Sequence, residues 1–125
     1  LGRQALLQAI QLKPDLFSYH VKLGLLELTE AQWRRQDQPA IVQLAAARKA
    51  LGRALELNPH AVETLQANAM LCLEDAHLTR RQGLDATPSL HRGLTFIEQA
   101  LKVEPRNVEL LEVQAELQRM RKNQS

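Results

Sequence analysis

One pattern rules this chain. Gly2, Leu6, Ala9 and Pro14 recur as Ala47, Leu51, Ala54 and Pro59, and again as Gly93, Ile97, Ala100 and Pro105. Each set reads small residue, large aliphatic four later, Ala three later, Pro five later, and the prolines fall 45 and 46 residues apart. Positions i, i+4 and i+7 share one face of a helix. The small residues let a neighbouring helix come close, and the aliphatic one fills the gap between the two. Proline then stops the helix, because it lacks an N–H and pushes the residue before it out of α geometry. Its fixed φ also lets it begin the following helix.

The segments after each proline carry the same periodicity. Leu16, His20, Leu23, Gly24 and Ala31 form one stripe; Ala61, Leu65, Ala69, Cys72 and Ala76 form a second; Val108, Leu111, Ala115 and Leu117 form a third. Ala, Leu, Gln, Glu and Arg dominate, residues that lose little side-chain freedom in a helix. Aromatics make up only 3% of the chain, so Leu, Ala, Ile and Val must build the core. Breaks fall at Gln36-Asp37-Gln38-Pro39 and between Gly83 and Pro88, where Thr87 is the expected N-cap and Pro88 the first helical residue. The spacing predicts an all-α chain of six helices near 2–13, 15–36, 39–58, 60–82, 88–104 and 106–122. A lone pair of such helices cannot bury its own apolar face, so successive pairs are expected to stack.

These residues resemble the tetratricopeptide repeat family. Its second helix carries small, large, Ala and Pro at the spacing above. Its first helix carries a bulky residue six after the proline and a small one ten after, here His20 and Gly24, Leu65 and Ala69, Leu111 and Ala115. Leu23-Gly24 reproduces the family's Leu-Gly pair. The resemblance implies a right-handed superhelical stack of antiparallel helix pairs over the whole chain: a half-unit over 1–14, complete units over 15–59 and 60–105, and a terminal helix and tail over 106–125. Length is the departure. The family unit is about 34 residues, so both helices of each pair must gain a turn or two around the loop. Such long-helix forms resemble the repeat tails of large bacterial signalling proteins, eukaryotic-like Ser/Thr kinases among them. The chain starts at Leu1 rather than Met, and we expect it to be part of something longer.

Little points to chemistry. The net charge of +2 comes from 16 basic and 14 acidic side chains, too even a balance for a broad phosphate-binding surface, so no nucleic acid is expected. No apolar run approaches the roughly 18 residues of a membrane span, and a cytoplasmic, membrane-free setting is expected. His20, His60, His77 and His91 pair neither with one another nor with Cys72 at metal-ligand spacing. Cys72, among Ala69, Leu71 and Leu73, reads as buried and inert. We expect no catalytic residue, no cofactor and no metal.

Two surfaces are candidates for binding. The resemblance implies a groove wall made by the first helices: Ser18, Val21, Lys22 and Leu25, then Glu63, Gln66, Ala67 and Met70, then Glu109, Glu112, Val113 and Glu116. Val21, Gln66 and Glu112 stand where the family's carboxylate-clamping members place lysine, so that mode is not expected. The strip suits a peptide with apolar anchors and some basic character. Equally, Val21, Leu25 and Met70 are core if the longer helices close the groove. The second surface is a basic rim of Arg34, Arg35, Arg80 and Arg81, whose plainer reading is that cations complement helix C-termini. Trp33 is expected to staple a hairpin tip. The function expected is a non-catalytic interaction or scaffold module with a protein or peptide partner. The alternatives are an architectural spacer or self-association domain, and the repeat tail of a kinase.

Overall fold

The computed structural model describes residues 2–33 and 40–123, with Trp33 described for its backbone alone. It holds six helices: α1 (Arg3–Leu12), α2 (Phe17–Trp33), α3 (Ala40–Leu57), α4 (Val62–Arg81), α5 (Thr87–Val103) and α6 (Val108–Lys122). Among the described residues no strand occurs, and no helix is long and apolar enough to cross a membrane.

The helices after the prolines start about two residues later than the sequence predicts. Each proline does not open the next helix; it is the first turn residue of a four-residue connection, at 13–16, 58–61 and 104–107. In the first and third the turn closes through Leu16 N–H to Lys13 O (3.3 Å) and Asn107 N–H to Glu104 O (3.2 Å). That is the β-turn position where the fixed φ of proline fits best. In the second, Asn58 Oδ1 accepts from His60 N–H at 3.3 Å. Asn107 then caps α6 by accepting from Leu110 N–H at 3.3 Å.

The α4–α5 connection corrects another expectation. Thr87 is the first residue of α5 rather than its cap. Asp85 does the local polar work, accepting from Thr87 N–H at 3.0 Å and from the Thr87 hydroxyl at 2.7 Å. Gly83 ends α4 with φ 75°, where a side chain would be strained. Around it Gly83 N–H bonds to Arg80 O (2.9 Å) and Leu84 N–H to Thr79 O (3.0 Å), which satisfies carbonyls the helix end leaves free.

Packing follows the repeat. The most extensive helix–helix contacts are α2 with α3 and α4 with α5. Each second helix also meets the first helix that follows it: α1 with α2, α3 with α4, α5 with α6. The first helices touch in order, α2 to α4 to α6, whereas α1, α3 and α5 approach one another nowhere among the described residues. Ala47, Leu51, Ala54, Ile97 and Ala100 are fully buried, as their place in the pattern requires. Gly24 is needed for close approach, since a Cβ there would run into the Leu51 side chain. At Gly93 a Cβ would lie 3.0 Å from Leu117 Cδ2 and 3.1 Å from Cys72 Cβ.

The pattern fails at its two ends. Leu6 is buried, but Gly2 is exposed with open space around it and Ala9 is only half-buried. Val108, Leu111 and Ala115 are exposed rather than packed. The physical reason is the same at both ends. In the complete pairs the small positions are covered by the other helix of the pair, and α1 and α6 have no such partner among the described residues. Leu110, Leu117 and Met120 carry the packing of α6 instead.

Candidate functional site

The first-helix wall divides into core and surface. Val21 is 2% exposed and belongs to the cluster with Leu28, Leu51 and Leu71, so it is core and not a groove residue. Ala67 is buried in the same cluster. One α-helical step further round, Lys22 is exposed and Leu25 half-buried, as are Ser18, Gln66 and Met70. Glu63, Glu109 and Glu112 are exposed, while Val113 and Glu116 are half-buried, Glu116 in an ion pair with Arg119. Gln66 Nε2 donates to Glu109 Oε2 at 3.1 Å, so two wall residues join α4 to α6. Beside Leu25 and Lys22, with Leu6, Leu26 and Thr29, lies an open cavity of about 390 Å³. The wall therefore runs from a hollow between α1 and α2, with Leu6, Leu25 and Leu26 as its apolar lining, to a carboxylate-rich surface on α6.

Only two residues of the expected basic rim, Arg80 and Arg81, lie among the described residues. Arg34 and Arg35 lie outside the described residues, as does the Trp33 side chain. Arg80 is half-buried and donates to Met120 O, in the last turn of α6, tying α4 to that helix. Arg81 is exposed. Adjacent arginines point about 100° apart on a helix, which is why one can reach across to α6 and the other cannot.

A larger hollow lies elsewhere, and the repeat pattern gives no sign of it. A crevice of about 800 Å³ opens between α1 and α3 over α2. Leu7 and Ile10 form one side, His20 and Leu23 the floor, Ala46 and Ala50 the other side. His20 is fixed by its Nε2, 2.8 Å from Pro14 O. Glu27 is 4% exposed and held by Arg3, whose Nε donates to it at 2.6 Å while Nη2 donates to Glu30 at 2.5 Å. Those two hydrogen bonds, Glu27 first, push the Arg3 guanidinium further above its ordinary value.

Cys72 faces the close α4–α5 contact. Burial pushes its thiol up to about 11, with Arg92 pulling slightly the other way. A thiol held protonated at neutral pH is a poor nucleophile. Among the described residues no group of three His, Cys, Asp or Glu side chains is placed to hold a metal ion. Comparison with family models, curated proteins and solved structures finds no match to this chain.

Proposed function

We infer that this chain is a non-catalytic protein-interaction module of tetratricopeptide type, whose first-helix face receives a peptide bearing apolar anchors and basic side chains. The observation that carries this reading is the hollow beside Leu25 on the same wall as Glu63, Glu109 and Glu112. An apolar anchor would seat against Leu25 and Leu26, and lysine or arginine further along would meet the carboxylates. Ordered contact of α2, α4 and α6 supports a continuous wall, and with it the superhelical stacking of pairs. Recognition of this kind takes its energy from a few buried anchors and its selectivity from the charges around them.

The test is selection of peptides from a random displayed library on the 125-residue chain, followed by fluorescence anisotropy of the enriched sequences. Enriched peptides should pair apolar residues with Lys or Arg. Leu25→Asp and Glu109→Lys/Glu112→Lys should each weaken them by about tenfold or more, with helical circular dichroism unchanged. Basic binders insensitive to both variants, or no basic binder at all, would refute this reading. A concentration-dependent rise in mass with no peptide enriched would favour the self-association alternative.

A further inference from the structure

The α1–α3 crevice owes its volume to small residues at positions outside the repeat signature. Ala46 and Ala50 lie 13 and 9 residues before Pro59; the equivalent positions before Pro105 are Arg92 and Phe96. Phe96 is half-buried and packs on the cluster containing Leu65, the counterpart of His20. By repeat register, one unit thus carries an aromatic side chain at the position where the other has Ala50. That comparison states what the open crevice accepts: a bulky apolar side chain presented on a helix.

The charge around the crevice states the rest. α1 carries Arg3 and no acid, and α3 carries Arg48, Lys49 and Arg53 against Glu56 alone. Glu27, the acid on the floor, is already neutralised by Arg3. Lys49 lines the crevice, is exposed, and has no acidic partner among the described residues. Arg53 sits four residues on, on the same face, and its contacts to Asp15 (3.3 Å) and Glu56 (3.0 Å) are with carboxylates that are 83% and 70% exposed. Such solvent-exposed pairs exchange readily for others.

We propose that this crevice is a second docking groove, for an amphipathic helix of a partner protein that buries an aromatic or leucine side chain over Ala46 and Ala50 and sets acidic residues against Lys49 and Arg53. The groove is separate from the first-helix face and asks for the opposite charge, so the chain would bridge a basic segment and an acidic one. Helices dock in such grooves through anchors at i, i+4 and i+7.

The experiment uses a displayed library of helix-forming peptides, selected on the 125-residue chain and counter-selected on the Ala50→Phe variant. Enriched sequences should carry Phe, Trp or Leu at i, i+4 and i+7 with an excess of Asp and Glu. Their affinity, read by anisotropy, should fall about tenfold or more in Ala50→Phe and, separately, in Lys49→Glu/Arg53→Glu. It should also weaken between about 50 and about 300 mM salt. The charge-reversed variant changes exposed Lys49 and half-buried Arg53, whose ion pairs are with exposed carboxylates, and neither belongs to the core, so the test survives if Ala50→Phe misfolds. Leu25→Asp should leave this binding intact, which separates it from the first-helix face. Binders that are neutral or basic, or indifferent to both variants, would overturn the proposal. So would a crevice filled by a second copy, seen as a mass doubling that Ala50→Phe abolishes, or one that binds dodecanoate but no acidic helix.

Discussion

Arg48 Nη2 donates to Asp75 Oδ1 at 2.7 Å, joining α3 to α4, and the same bond stands 45 residues earlier, where Arg3 Nη2 meets Glu30 Oε1 at 2.5 Å between α1 and α2. The arginine is 11 residues before the proline and the acid 16 after it in both units. The repeat thus extends to a polar contact from α1 to α2 and from α3 to α4, though not from α5 to α6, where Leu94 and Arg121 take these positions.

The two arginines should nevertheless differ in worth. Arg48 is 58% exposed and its partner also reaches water, so Arg48→Ala should cost no more than about 1 kcal/mol. Arg3→Ala leaves the 4%-exposed Glu27 carboxylate without the donor it has, and should cost about 1–3 kcal/mol. Urea unfolding followed by circular dichroism measures both, and equal costs would contradict the distinction.

The glycines offer a sharper contrast. Gly24→Ala drives a methyl group into Leu51 and should destabilise by about 1–3 kcal/mol. Gly52→Ala adds the same group in a helix interior with nothing within 4 Å, and should stabilise by about 0.5–1 kcal/mol. Thermal melts of the two variants should move in opposite directions.

Two large positions of the signature, one on each kind of helix, should also part company. Ile97→Ala removes a fully buried side chain and should cost about 2–5 kcal/mol. Leu111→Ala, at a position the signature treats as packed, should cost less than about 1 kcal/mol, because Leu111 is 43% exposed. A large loss at Leu111 in denaturant titrations would mean that α6 packs differently.

Cys72 gives a pH prediction. Its thiol is raised from an ordinary 9.0 to about 11 by burial, so the folded chain holds this proton where the unfolded chain has released it. Stability from this group is intact below about pH 9 and is lost as pH climbs toward about 11. Cys72→Ala should remove that part of the decline, read as the difference between the two unfolding free energies across the range. Reaction of the native chain with a thiol reagent near pH 7 should be slow, and fast reaction would show that Cys72 is accessible.

Much of this fold was legible because proline and small residues act locally. A proline ends a helix whatever surrounds it, and Ala47, Ala54 and Ala100 are small because a helix must pass them. The ends were not legible, because burial of Gly2 or Ala115 depends on a second helix that a periodic pattern takes for granted. Val21 and Lys22 show the limit at the site. They are adjacent in sequence, yet one is core and the other surface, and only the rotation of α2 in its packed position separates them. The crevice was missed for another reason: Ala46 and Ala50 look like ordinary helix formers until aligned with Arg92 and Phe96. The arginine–acid pairing was open to the same alignment, since its register to the proline is fixed in both units.

The central claim, that the first-helix face is the surface for basic peptides, is tested most directly by hydrogen–deuterium exchange of the chain with a basic peptide selected on it. Binding at that face adds protection in α2, α4 and α6, near Leu25, Met70 and Glu112, and leaves α5 unchanged. Protection confined to α5, or none at all under saturating peptide, would contradict it.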